Sequence, residues 1–249
     1  MTGGALDALR VDPGTTTLAT DFDGTLASIV DDPAAARPFD GAVDVLDGLA
    51  RRYARVAVVS GRPLTFLEAH LPPAVDLVGL YGLEARLGGV HRSLPGVERW
   101  RDEVDRVAAL ARAQLPPEVT VEPKGLSLTL HHRTHPELAG LVGEVALALG
   151  SESGLLLRPA RMSVELHPPV AADKGTALAE LLVDRRAACF IGDDAGDLPA
   201  FDALDAFVEA GGSAVRIAVR SSEAPEGLLH RADLVVDGPA AVVELLLGL

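Results

Sequence analysis

Asp21-Phe22-Asp23-Gly24-Thr25-Leu26 decides how this chain reads. Two carboxylates stand two residues apart, behind the run Thr17-Leu18-Ala19-Thr20 and just ahead of a glycine. That is the pattern of a buried strand ending in a loop. Successive side chains on extended backbone point to opposite sides, so Asp21 and Asp23 share a side and Phe22 takes the other. Paired acids in such a place need a cation, a shared proton, or both. In open α/β sheets, ligands bind outside the carboxyl ends of the strands, so chemistry is expected here.

The flanking sequence supplies the sheet. Asp32-Pro33 and Arg37-Pro38 mark an extended connection. Residues 41–53 carry Val43, Leu46 and Leu49 at helical spacing. Val56-Ala57-Val58-Val59 is a continuous apolar run, as in a parallel strand covered on both faces, and it ends at Ser60-Gly61-Arg62-Pro63. Pro63 suits the first turn of a helix reaching His70, and residues 77–80 form another short strand. The same alternation resumes late. It predicts a helix over 174–183, a strand over 187–191 ending at Gly192-Asp193-Asp194, and a helix over 197–204. Short strands near 207–209, 215–219 and 234–236 and a last helix over 240–247 follow. Strand–helix alternation predicts a right-handed parallel sheet. The middle differs. Two amphipathic helices (98–115 and 136–149) alternate with two hairpins (119–131, around Lys124-Gly125, and 155–167), which reads as an α+β unit. The expected division is therefore a core of 1–85 plus 169–249 and an inserted domain of 86–168.

Composition narrows the function classes. The chain has 249 residues, 48% of them hydrophobic and 23% charged, so it is a globular chain with a sizeable core. No run of apolar residues is long enough to span a membrane, and no basic-then-apolar leader opens the chain. Cys189 is the sole cysteine, a small apolar residue on a buried strand, which fits a reducing cytoplasm. The net charge of −14 argues against nucleic acid as a partner.

Against that acidity, Asp21/Asp23, Ser60, Lys174 and Asp193/Asp194 with Asp197 all fall at strand ends or helix starts that converge on one crevice. Carboxylates beside a lysine and a hydroxyl suit Mg²⁺ and a phosphate group: hard oxygens for the ion, an ammonium and backbone N–H groups for the anion. Taken singly, each motif has a plain structural reading. Asp-x-Asp-Gly is a capping turn, Ser60-Gly61 a turn, Lys174 a solvated helix start, and Asp193-Asp194 an acid pair favoured by a helix dipole. In this order along one chain, the chemical reading prevails.

The motif set, DxDGT, a strand ending in Ser, Lys, then GDDxxD, resembles the haloacid dehalogenase superfamily of phosphatases. The resemblance implies an α/β fold, a haloacid-dehalogenase-like doubly wound parallel sheet with an inserted α+β cap. It implies Asp21 as nucleophile forming an aspartyl-phosphate, and Asp23 as the acid and base. Ser60 and Lys174 would bind the phosphoryl group, with Gly61 and Arg62 beside them on the substrate. Mg²⁺ would sit on Asp21, the Asp23 carbonyl and Asp193, with Asp194 and Asp197 behind them; Asp197 would orient Lys174 or a metal-bound water.

Further stretches narrow the resemblance. Residues 33–38 (PAAARP), 79–84 (GLYGLE), 121–133 (VEPKGLSLTLHHR) and 162–168 (MSVELHP) resemble the trehalose-6-phosphate phosphatases. That family implies a cap whose Lys124, His131, Arg133 and Glu165 face a disaccharide, with motions that gate turnover. Each of the four has an alternative: Lys124 solvated at a hairpin tip, Glu165 facing water, His131 and Arg133 facing solvent or pairing with acids. Arg161 is a weaker candidate, and Glu84 either helps at the core–cap junction or lies on the surface. The chain departs from the family pattern at Gly192-Asp193-Asp194-Ala195-Gly196-Asp197, which lacks the usual Thr and acid, and at His132, which replaces a frequent Tyr. The expected activity is Mg²⁺-dependent hydrolysis of trehalose 6-phosphate by a monomer, with a trehalose-phosphate synthase as a possible partner. The rivals are another sugar-phosphate phosphatase, of the sucrose phosphate or mannosyl-phosphoglycerate type, and an inactive trehalose-phosphate-binding partner of a synthase.

Overall fold

The computed structural model describes residues 3–160, 162–221 and 224–249. Arg161 lies outside the described residues. The chain divides into two compact units, Met1–Arg92 with Ala172–Leu249, and Ser93–Ala171.

The larger unit is built on a sheet of eight strands: β1 (Thr16–Thr20), β2 (Arg55–Val59), β3 (Asp76–Gly79), β4 (Glu84–Leu87), β5 (Val90–Ser93), and, late in the chain, β10 (Ala187–Gly192), β11 (Ser213–Arg220) and β12 (Leu234–Asp237). Their order is β12-β11-β10-β1-β2-β3-β4-β5. The pairs from β12 through to β3 are parallel, and β4 returns antiparallel to β3. Continuous apolar runs make these strands, because both faces are covered. Leu18, Val56, Val58, Cys189 and Ile191 pack into one core, with α1 (Gly3–Val11), α2 (Ala42–Ala50), α3 (Leu64–His70) and α9 (Gly238–Leu247). Ala19, Ala57, Val59, Ala188 and Phe190 pack into the other, with α6 (Lys174–Leu181), α7 (Leu198–Glu209) and α8 (Glu226–Arg231). This is a doubly wound sheet. From β1 the chain proceeds outward to β2 and β3 on one side, and from β10 to β11 and β12 on the other, so the switch point lies between β1 and β10.

The short strand expected at 207–209 is the last turn of α7, which runs on to Glu209. Ala200, Phe201 and Leu204 already set a helical stripe and Phe207 packs against the same core, so the apolar run Ala206-Phe207-Val208 extends that face. Short apolar runs fit either period. Glu84 serves the fold, since its Oε1 accepts the Leu64 N–H at 2.6 Å and caps α3.

The smaller unit has a four-stranded antiparallel sheet, β6 (Thr120–Pro123), β7 (Leu128–His131), β9 (Ser163–His167) and β8 (Leu156–Ala160), in that order. Strand alternation sends Leu128, Leu130 and Leu166 into a core with α4 (Arg101–Gln114) and α5 (Ala139–Ser153). Trp100 packs against that core. Among the described residues, no helix is long and apolar enough to cross a membrane.

Candidate active site

Parallel pairing of β1 with β10 sets Thr20 opposite Ile191, and the Asp21 N–H closes the strand end on the Ile191 carbonyl at 2.8 Å. Asp21 and Asp193 thus leave adjacent strand ends on the same edge. Lys174 opens α6, where Asp173 caps the helix in a reciprocal bond with Thr176. That cap points Lys174 at the crevice. Its Nζ lies 2.6 Å from Asp197 Oδ1 and 3.0 Å from Asp21 Oδ1. The other Asp197 oxygen accepts the Asp193 and Asp194 N–H groups at 2.8 and 3.0 Å. Asp194 caps its own turn by accepting the Gly196 N–H. Asp197 is therefore committed to Lys174 and to the loop, and Asp194 to the turn.

Asp21, Asp193 and Asp197 are buried and can bring carboxylate oxygens within 4.8 Å of one another. Gly24 makes room for them. It holds φ +77°, and a Cβ there would fall 2.1 Å from an Asp193 carboxylate oxygen. Several acids face one ammonium. Burial, then the neighbouring acids, pushes the Asp193 carboxyl up to about 8. Burial also holds Asp21 well above, and Asp197 above, the usual carboxylate range, although Lys174 opposes both shifts. Burial alone would lower the Lys174 ammonium, but Asp197 and Asp21 more than offset this and keep it charged. Such a cluster holds excess negative charge out of water, and a divalent cation relieves it. The donor set therefore fits a metal ion.

Ser60 is buried at the end of β2, with its Oγ accepting the Arg62 N–H at 3.2 Å. Asp23 stands apart from the carboxylate cluster. Arg62 grips it: Nε to Oδ2 at 2.7 Å and Nη2 to Oδ1 at 2.6 Å. Tyr81 was not anticipated. Leu80 and Tyr81 both hold left-handed backbone (φ 50° and 58°), and the phenol lies so close to Gly61 that a Cβ there would fall 2.6 Å from it. Two successive strained residues are a mark of functional loops. Ser221 was also missed: its Oγ donates to Asp193 Oδ2 at 3.1 Å.

In the smaller unit, the face of the sheet opposite its core is polar. One row across it reads Glu122, Thr129, Glu165, Arg158, and the next carries His131 and Ser163. Glu165 is only 3% exposed, so it does not face water, and Arg158 lies 3.7 Å from it. His131 Nε2 lies 2.7 Å from Glu122 Oε2, and Lys124 Nζ 3.9 Å from the same oxygen. Glu122 thus gathers two of the expected sugar-facing residues; its signal was the alternation along β6. Arg133 is half-buried in the turn beyond β7. The buried Ser127 and Thr129 hydroxyls and the His132 Nδ1 make no hydrogen bond.

The model of the trehalose-phosphatase family matches residues 19–228. The chain belongs to that family. The trehalose-phosphate phosphatase of Mycobacterium ulcerans is 35% identical over 237 residues, covering 90% of this chain and 58% of its own. The chain thus spans little more than half the length of that trehalose-phosphatase relative. The C-terminal domain of the C. albicans trehalose-6-phosphate phosphatase superposes with a TM-score of 0.79 at 22% identity, covering 98% of this chain and 96% of that one. The C-terminal domain of a Candida albicans trehalose synthase regulatory protein does so at 0.72 and 15%, covering 99% and 97%. These structures share the trehalose-phosphatase fold.

Proposed function

We propose that this chain hydrolyses trehalose 6-phosphate to trehalose and phosphate through an aspartyl-phosphate on Asp21, with Mg²⁺ as cofactor. The observation that carries the reading is the Lys174 ammonium lying 3.0 Å from Asp21 and 2.6 Å from Asp197, beside Asp193, at the switch point of the sheet. An Asp21 oxygen attacks phosphorus while the bond to the sugar oxygen breaks, and that oxygen takes the proton of Asp23. Water then attacks the phosphorus, gives its proton to Asp23 and frees Asp21. Lys174 and Ser60 hold the phosphoryl oxygens, and Asp197 fixes the lysine. Asp21 and Asp193, with the main-chain carbonyl of Asp23, would hold Mg²⁺, which supplies charge neutralisation at the phosphoryl group. Catalysis of this kind is mostly positioning and charge compensation.

The smaller unit, in this reading, is the cap that selects the sugar, with Lys124, His131, Arg133 and Glu165 as its reading groups. The chain works as a monomer in the cytoplasm, and a trehalose-phosphate synthase is its candidate partner. A non-catalytic partner role is the second reading, because the regulatory protein named above has the same fold. The intact set of Asp21, Asp23, Lys174 and Asp193 favours the enzyme. The test is phosphate release with Mg²⁺ from trehalose 6-phosphate, sucrose 6-phosphate, glucose 6-phosphate and 4-nitrophenyl phosphate, with Asp21→Asn as the blank. A preference for trehalose 6-phosphate that is lost in the blank and in EDTA supports the reading. Turnover of a different sugar phosphate keeps the chemistry and overturns the substrate, whereas binding without turnover points to the partner role.

A further inference from the structure

Asp23 differs from the other acids of its loop. Its side chain is 37% exposed, whereas Asp21 is buried. An open carboxylate on a loop samples several rotamers unless something holds it. Arg62 does the holding. Its planar fork meets both Asp23 oxygens at 2.6 and 2.7 Å, the short charge-assisted geometry that fixes direction as well as distance. Its third nitrogen, Nη1, donates to the Pro33 carbonyl at 2.6 Å, in the connection after the Asp21–Leu26 loop. The guanidinium also lies 4.5 Å above the Phe66 ring, and Phe66 meets Phe22, the residue between the two aspartates, edge-on at 5.5 Å. The arginine is itself anchored: its N–H donates to Ser60 Oγ, and its carbonyl accepts the Leu80 N–H at 3.0 Å. Arg62 therefore braces Asp23 through its carboxylate and through the neighbouring aromatic at once. All three of its side-chain nitrogens already have acceptors, and the fork formed by Nε and Nη2 is spent on Asp23.

We propose that Arg62 is a positioning residue that aims the Asp23 carboxyl at the leaving-group oxygen, and does not contact the transferring phosphate. The proposal rests on the phosphatase reading above. A carboxylate has lone-pair sites beyond the two that Arg62 occupies, so Asp23 keeps a side open to the leaving group while braced. In the phosphatase reading, as the phosphorus–oxygen bond to the leaving group breaks and the bond to Asp21 forms, the departing oxygen takes the proton of Asp23. A poor leaving group needs it; a nitrophenolate departs without it.

The experiment is a leaving-group series on the purified chain with Mg²⁺: kcat/KM for 4-nitrophenyl phosphate, phenyl phosphate and trehalose 6-phosphate, with inhibition by inorganic phosphate measured alongside. In Arg62→Ala, kcat/KM for the phenyl and sugar esters falls about 100-fold and that for the nitrophenyl ester less than about threefold, as expected for the loss of an aimed general acid. Phosphate inhibition is unchanged. Arg62→Lys, which keeps the charge but not the fork, recovers part of the loss, and Arg62→Ala adds nothing to Asp23→Asn in the double variant. If Arg62→Ala does not fold, Arg62→Lys read against Asp23→Asn gives the same contrast at smaller amplitude. Equal losses on all three esters with weaker phosphate inhibition would make Arg62 a phosphate contact and overturn the proposal. So would additive losses in the double variant, or no loss at all. The aryl esters test the brace and the sugar ester tests the substrate reading, so the two fail separately.

Discussion

The carboxylate cluster of the larger unit and the polar sheet face of the smaller one bury polar groups in opposite ways. At the switch point of the larger sheet, Asp21, Asp193, Asp197 and Lys174 are out of water, and each has a partner: the ammonium touches two carboxylates, Asp197 accepts two backbone N–H groups, and Asp193 accepts from Ser221. What this cluster lacks is charge balance. On the polar face of the smaller sheet Glu122 lies against His131 and Glu165 near Arg158, but the hydroxyls of Thr129 and of Ser127, just ahead of β7, are buried without a partner. What this face lacks is hydrogen-bond partners. An acid-rich cluster short of positive charge suits a metal ion and the lysine that meets a phosphate. Orphaned hydroxyls suit a ligand rich in hydroxyls. In the phosphatase reading proposed above, the difference separates chemistry from selection, and each side can be broken independently.

The largest effect is expected at the cluster. Asp21→Asn removes the proposed nucleophile and should lower kcat on every phosphate ester by at least about 10⁴-fold, the scale seen when a covalent catalyst is deleted. The same change removes a buried carboxyl whose charged form burial disfavours, so at alkaline pH the Mg²⁺-free protein should melt a few degrees higher, at about 1 kcal/mol for roughly 2–4 °C in a domain of this size. A fall in both activity and melting temperature would break the comparison. Next is Glu165→Ala on the selecting face. Loss of a buried hydrogen-bonding group should lower kcat/KM for trehalose 6-phosphate about 10- to 100-fold and leave 4-nitrophenyl phosphate within about twofold. Equal losses on both esters would place Glu165 in the chemistry and erase the division.

The charge imbalance also sets a pH dependence. The folded Asp193 carboxyl titrates at about 8, raised by burial and by the acids around it from the ordinary 3.8. A group whose folded value lies above its unfolded value contributes stability below the unfolded value and loses it as the pH rises through the folded one. Asp21 and Asp197 shift in the same direction. Melting curves of the Mg²⁺-free protein should therefore fall between pH 5 and pH 8, and saturating Mg²⁺ should flatten that fall. Asp193→Asn should flatten it without metal. A fall that Mg²⁺ leaves untouched would show that the cluster does not take the ion.

How much of this was legible in the sequence follows from the same physics. The parallel strands were, because burial on both faces writes continuous apolar runs such as Val56-Ala57-Val58-Val59. The acids and Lys174 were, because few structural roles put them at strand ends. The tail of α7 was not, because Ala206-Phe207-Val208 fits either period without its partners in view. Arg62 was legible at the end of β2, but its grip on Asp23 was not, since nothing local says that its fork turns back to that residue. Tyr81 and Glu122 were missed because their placement depends on pairing: Tyr81 sits over Gly61 by way of a strained turn, and Glu122 meets His131 across the β6–β7 ladder. Chemistry written at strand ends can be read residue by residue, whereas chemistry assembled across strands needs the register.

The smallest effect tests the selecting face most finely. Thr129 lies between Glu122 and Glu165 in one row of the sheet, its hydroxyl buried and without a hydrogen bond. Valine has nearly the same shape and no polar atom, so Thr129→Val removes a desolvation penalty and should raise stability by up to about 1 kcal/mol. The backbone ladder is untouched, and a β-branched residue is kept in the strand. If the hydroxyl meets a substrate hydroxyl, kcat/KM for trehalose 6-phosphate falls about tenfold, one neutral hydrogen bond's worth, while 4-nitrophenyl phosphate is unaffected. Stability up with sugar selectivity down is the signature of a group kept for binding at a cost to the fold. Stability up with selectivity unchanged would make Thr129 a bystander and confine selection to the charged residues of the face. Stability down would mean that the hydroxyl already has a partner in solution, and the contrast would then rest on Ser127 and His132.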